Sequence, residues 1–133
     1  MKAFYKILSI LTSVLFVYLF ILLFFNSDSF IKDIGLEPSI ASLVLARRAA
    51  MFMLGIVVLT FASRNLPSSK ARQIICMSLS LTFFGLSCMG AYEYANGNVN
   101  SSISVSIVIE TILWLSYGIV FMKDRKEKRT IEK

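Results

Sequence analysis

Two adjacent arginines, Arg47 and Arg48, lie in a stretch apolar enough to cross a membrane, and Glu110 lies at a similar depth in another. Charge in hydrocarbon is expensive, about 2.5–3.5 kcal/mol per group near a helix centre on insertion scales, so such residues mark ligand sites, ion pathways or buried pairs. A guanidinium and a carboxylate joined by two parallel hydrogen bonds offset much of that cost. The chemistry open to these residues is therefore recognition of a small polar or anionic solute, or mutual neutralisation as an Arg–Glu pair. Side chains of successive helical residues point about 100° apart, so only one arginine can be the best partner of Glu110. The other snorkels toward the headgroups or remains available.

Around Glu110 the same helical face carries Ser106, Trp114 and Tyr117, at i−4, i+4 and i+7. A carboxylate, a hydroxyl, an indole N–H and a phenol in one stripe can line a polar cavity; the two aromatics equally suit packing or the membrane interface. Glu93, between Tyr92 and Tyr94, falls at the outer end of its helix. Headgroup exposure explains it there, and an inward turn would bring it to the same outward-facing vestibule as Arg47, Arg48 and Glu110.

The sequence has no histidine, which removes the commonest metal ligand and the usual side chain for acid–base work near neutral pH. No nucleophile–base constellation is present, so an enzyme is not the expected reading, and neither a metal nor a cofactor is expected. Cys76 and Cys88 lie twelve residues apart on one expected helix, about 18 Å, which is too far for a disulfide. They read as small apolar side chains.

The elements that must position these residues are membrane helices. The 133 residues are 56% hydrophobic and 17% charged, with a mean hydropathy of +0.72; a soluble domain carries about a quarter charged residues. A hydrocarbon core of about 30 Å needs roughly 20 helical residues. Four stretches qualify, at about 4–25, 40–62, 72–94 and 102–122. The expected fold is all-α: a single domain, 1–133, forming a four-transmembrane-helix bundle with up-down-up-down order and short connections. The first span resembles a signal peptide, but its apolar run, Ile7 to Phe25, exceeds the usual 7–15 residues and no A-x-A site follows, so it reads as a retained helix. The second span cannot be shortened past the arginines, because residues 49–62 alone make only about 21 Å of helix. It starts near Ser39 or Ile40, placing Arg47 and Arg48 about 12 Å from its outer end, level with Glu110.

In the second connection, Asn65 can cap one helix while Pro67 and Ser68 start the next. Phe30, Ile31, Ile34 and Leu36, set among charges, fit a short interfacial helix. Lys2 and Lys6, then Arg64, Lys70 and Arg72, then Lys123, Arg125, Lys126, Lys128, Arg129 and Lys133 cluster at one end of the spans, whereas Asp28, Asp33 and Glu37 outnumber Lys32 at the other. The positive-inside rule puts both termini in the cytoplasm. Residues 123–133 read as a solvated, partly helical tail that can touch anionic headgroups. Topology explains the net charge of +6, so nucleic acid is not an expected partner. Ser42, Ala46 and Ala50 on the second span, and Ser87 and Ala91 on the third, are small-residue stripes for close helix approach, within the chain or between copies.

The run Ala46-Arg47-Arg48-Ala49-Ala50-Met51-Phe52, the connection Arg64-x-x-Pro67-Ser68-Ser69-x-Ala71-Arg72-Gln73 and the segment Gly90-x-Tyr92-Glu93, together with Glu110, resemble small bacterial four-span integral membrane proteins of uncharacterised function. The resemblance implies a bacterial inner membrane and transfers no activity. Small multidrug transporters share the span count but use a glutamate in the first span, where this chain has no acidic residue. The second-span arginine, asparagine and glutamate pattern of membrane glutathione-transferase-like proteins is likewise not found. Two functions remain. One is binding or transport of a small polar or anionic solute through an outward-facing vestibule with an Arg–Glu pair. The other is a non-catalytic accessory or assembly subunit of a membrane complex, in which case the partners are a second copy or another membrane protein as well as the bilayer.

Overall fold

The computed structural model describes the backbone of residues 1–131 and the side chains of residues 1–127. The basic side chains expected at positions 128 and 129, and Lys133, lie outside the described residues. The chain is all-helical: α1 (Lys2–Phe25), α2 (Ser27–Asp33), α3 (Ile40–Ser63), α4 (Lys70–Ala95) and α5 (Ile103–Ile131). Four of these, α1, α3, α4 and the Ile103–Glu127 part of α5, are long and apolar enough to span a membrane. At 1.5 Å per residue the 24 residues of α3 reach about 36 Å, enough for the hydrocarbon core with a turn to spare. The chain is a multi-pass membrane protein built as a four-helix bundle, with α2 as the short helix expected in the first connection.

Helix starts are set by serines. Ser39 and Ser42 form a reciprocal capping box at the start of α3, each side chain accepting from the other's backbone N–H. Ser69 accepts from the Arg72 backbone N–H and so caps α4. The cap expected at Pro67 and Ser68 therefore lies slightly later, and Arg64 rather than Asn65 closes α3.

The helices pair two by two. α1 lies along α3, and α4 lies along α5. The small residues expected to permit this do so on α3, where Ala50 is fully buried and Ser42 and Ala46 are half-buried. On α4 the approach is made at Ser80, Ser87 and Gly90: Ser80 Oγ donates to the Trp114 carbonyl (2.9 Å), Ser87 shares a hydrogen bond with Thr111 (3.0 Å), and a Cβ at Gly90 would stand 3.0 Å from Ile107. Ala91 of the expected stripe faces outward. In hydrocarbon the driving force between helices is such packing and hydrogen bonding, because lipid tails are as apolar as leucine.

α1 joins the two pairs. Its Phe16 ring sits 5.6 Å from Phe83 of α4, which stacks on Tyr117 of α5 at 6.0 Å. Buried hydroxyls run beside these rings. Tyr5 donates to Ser63 (3.0 Å), Ser13 and Thr60 share a bond (2.7 Å), and Tyr117 donates to Thr12 (3.0 Å). At the end away from the termini, Asn100 ties the two halves together, its backbone N–H donating to the Ile34 carbonyl (2.9 Å) and its Nδ2 to the Asp33 carbonyl (2.8 Å). Gly35, at φ +88°, turns under it; a Cβ there would be 3.1 Å from that of Asn100.

Candidate functional site

The strongest electrostatic contact lies at the end that carries the termini. Arg72, in the first turn of α4, and Asp124, in the last third of α5, form a bidentate ion pair: Nε donates to Oδ2 at 2.6 Å and Nη2 donates to Oδ1. Both side chains are almost wholly buried, at 2% and 0% exposure. The guanidinium is further satisfied by the Leu66 carbonyl, which accepts from Nη1 at 3.1 Å, and by the Tyr5 ring, whose centroid is 5.2 Å from Cζ. Gln73 Nε2 donates to the Asp124 backbone carbonyl (3.3 Å). Four segments, α1, the α3–α4 connection, α4 and α5, thus meet on one arginine. Removing one member of such a pair costs about 3–5 kcal/mol, because the other is left buried and uncompensated.

The solvated tail expected from residue 123 is corrected by this contact. α5 continues without a break, and Asp124 falls on the same stripe as Leu113, Tyr117 and Val120, all buried. That i, i+4, i+7, i+11 spacing was available in the sequence. The tail's basic composition concealed it. Arg72, read only as a topological charge, was missed as a site residue for the same reason.

The Arg–Glu pair expected from depth is not formed. Among the described residues the ion pairs are Arg72–Asp124 and the exposed Lys32–Asp28. Arg47 and Arg48 are exposed, on the side of α3 turned away from α1. The packed side of α3 bears Met53, Ile56, Val57 and Thr60, and both arginines project more than about 100° from its centre. Glu110 is half-buried on α5. The residue count puts these three at an expected common depth, but the helix order in space separates them, since α3 packs on α1 while α5 packs on α4.

The remaining expected site residues are distributed along α4 and α5. Tyr117 is fully buried, with its hydroxyl on Thr12. Trp114 is half-buried and edge-on to Phe84, at 5.5 Å between centroids. With Met77, Ser80, Leu81, Phe84, Gly118 and Phe121 it lines a shallow, mostly apolar pocket between α4 and α5. Ser106 is half-buried one turn before Glu110. Glu93 is half-buried at the far end of α4, accepting a hydrogen bond from Asn98 Nδ2 (2.6 Å). Cys76 is buried beside the Arg72–Asp124 pair and Cys88 is exposed; both are free thiols.

The arrangement is that of a structural clamp at one end, with Arg47, Arg48 and Glu110 on spanning helices outside any ion pair among the described residues. Fold and site together define an all-helical, multi-pass membrane protein. No protein-family model, curated protein or solved structure matches the chain.

Proposed function

We propose that the protein is a non-catalytic assembly subunit in a bacterial cytoplasmic membrane, joined to another membrane polypeptide through the open face of α3. One observation carries this reading: Arg47 and Arg48 are exposed on that face about a third of the way along a spanning helix, with no ion pair among the described residues. Intramembrane arginine is stable when it faces a carboxylate, a carbonyl or water. A neighbouring polypeptide supplies the first two.

The orientation that goes with it has both termini cytoplasmic. Lys2, Lys6, Arg64, Lys70, Lys123 and Arg125 all gather at the clamp end, and Asp28, Asp33, Glu37 and Glu93 at the other, which the positive-inside rule assigns to the cytoplasmic and outer sides.

The test is the size of the assembly extracted with its surrounding lipid. Wild type should migrate well above the mass of one chain, and the double variant Arg47→Gln, Arg48→Gln should shift to one chain while keeping its helix content. An unshifted double variant would end the assembly reading.

Glu110, a half-buried carboxyl in no ion pair among the described residues, supports a second reading: binding or transport of a small polar or anionic solute, with an arginine attracting it. In that case Arg48→Gln and Glu110→Gln abolish solute flux into vesicles and leave the assembly size unchanged.

A further inference from the structure

We propose that the groove between α4 and α5 holds one anionic phospholipid of the leaflet on the clamp side, its headgroup between Lys70 and Arg125 and an acyl chain seated against Trp114. The site involves only α4 and α5 and is independent of the assembly reading.

Two stripes build it. On α4, Lys70, Met77, Leu81 and Phe84 follow one another at spacings of seven, four and three residues, and on α5, Trp114, Gly118, Phe121 and Arg125 do so at four, three and four. Such spacings keep each set on one side of its helix. The apolar members of both stripes line the pocket, about 280 Å³ in volume, and each stripe ends in an exposed cation at the end that carries the termini. The two cations share a height because the helices are pinned beside them: Arg72 is paired to Asp124, and Gln73 Nε2 donates to the Asp124 carbonyl. Neither Lys70 nor Arg125 is in an ion pair among the described residues.

The floor of the groove favours hydrocarbon. A Cβ at Gly118 would stand 3.4 Å from Ser80 Oγ, so the helices meet closely there, while Phe121 and Trp114, edge-on to Phe84, rise beside that point. Ser80 Oγ gives its hydrogen to the Trp114 carbonyl. The recess therefore offers a polar solute no hydroxyl donor from Ser80, and a solute stripped of water there would go unpaired.

Depth matches the occupant. Met77 and Phe84 are seven and fourteen residues beyond Lys70, about 10 and 21 Å along the helix, and Trp114 is eleven residues before Arg125, about 16 Å. One leaflet supplies half of the hydrocarbon core, about 15 Å. The pocket thus sits at the tail depth of the leaflet whose headgroups meet Lys70 and Arg125. A phospholipid joins phosphate to hydrocarbon over that same distance, and a net negative headgroup answers the two cations.

The chain's one tryptophan, Trp114, reports on the site directly. The full chain is reconstituted at low density in phosphatidylcholine vesicles, with a small fraction of phosphatidylglycerol or phosphatidylcholine carrying bromine part-way down the acyl chains. Bromine quenches indole fluorescence on contact. Brominated phosphatidylglycerol should quench wild type at about one-tenth of the mole fraction that brominated phosphatidylcholine requires, the preference expected of two basic groups acting together. Lys70→Gln with Arg125→Gln should bring the two lipids within about twofold, whereas Lys2→Gln with Lys6→Gln, which removes as much charge from the same end of the bundle, should keep the preference. Leu81→Phe, which fills the recess and leaves both cations, should lower it by about threefold. All five positions are exposed, so each variant should keep the wild-type unfolding midpoint. Equal quenching of wild type by the two lipids, or an equal loss in the Lys2 and Lys6 variant, shows diffuse charge attraction and overturns the site. Leu81→Phe without effect overturns the seated chain. If neither lipid quenches Trp114, another polypeptide covers the groove and the lipid site falls.

Discussion

Arg72 and Asp124 are separated by 52 residues and yet form a two-pronged ion pair, with Nε at 2.6 Å from Oδ2 and less than 3% of either side chain exposed. The pair ties the first turn of α4 to a point on α5 beyond the span expected from hydropathy. It takes Tyr5 of α1 and the Leu66 carbonyl into the same contact. A membrane bundle with modest apolar discrimination between helix partners gains its register from contacts of this kind.

Asp124→Asn and Arg72→Gln should each destabilise the bundle by about 3–5 kcal/mol, since each strands a buried partner. The double variant Arg72→Gln, Asp124→Asn should lose less than the sum, with a coupling of about 1–3 kcal/mol. Reversible unfolding in mixed micelles, read by tryptophan fluorescence of Trp114, measures all three. Additive losses would show that the two side chains do not act as a unit.

The hydroxyls between helices divide into bonded and unbonded. Ser13 shares its hydrogen with Thr60, whereas Ser9 Oγ, also buried, makes no hydrogen bond. Ser13→Ala and Tyr117→Phe should therefore cost about 0.6–1.7 kcal/mol each. Ser9→Ala should be neutral or mildly stabilising, because it removes an unsatisfied polar atom. The same unfolding assay ranks them, and an equal loss at Ser9 would contradict the assignment.

Two glycines on spanning helices should respond oppositely. A Cβ at Gly90 lands 3.0 Å from Ile107 Cγ1, and one at Gly55 meets nothing. Gly90→Val should separate α4 from α5 and lower stability by about 1–3 kcal/mol, as overpacking does. Gly55→Ala should leave the stability of a single chain unchanged or slightly raised. Thermal midpoints of the monomeric form decide between them.

Asn100 holds the far connections together through two bonds to residues 33 and 34. Asn100→Ala removes the side-chain bond to Asp33 and the one that Oδ1 accepts from the Ser102 backbone. A loss of about 1 kcal/mol is expected. Amide exchange of residues 33–36 should speed up while that of α4 and α5 stays as before.

The sequence carried the four spans and the short helix of the first connection because hydropathy and length are properties of a linear run. Counted depth along a helix is legible for the same reason, and it is on that count that Arg47, Arg48 and Glu110 are expected to be level. Neighbourhood is a different quantity. Nothing in the run of residues states that α3 packs on α1 and α5 on α4, and that order is what keeps the arginines from Glu110 within one chain. Asp124 shows the converse. Its position on the Leu113, Tyr117 and Val120 stripe was legible, but its setting among Lys123, Arg125 and Lys126 made a solvated tail the natural reading.

The distance in sequence between Arg72 and Asp124 also sets an order in time. Synthesis proceeds from the N-terminus, so Arg72 is made before Asp124. Until then the Arg72 guanidinium has only the Leu66 carbonyl and the Tyr5 ring beside it. The hairpin of α4 and α5 is thus closed by the last helix to emerge. The register of α4 against α5 at this end is therefore complete only once Asp124 is in place.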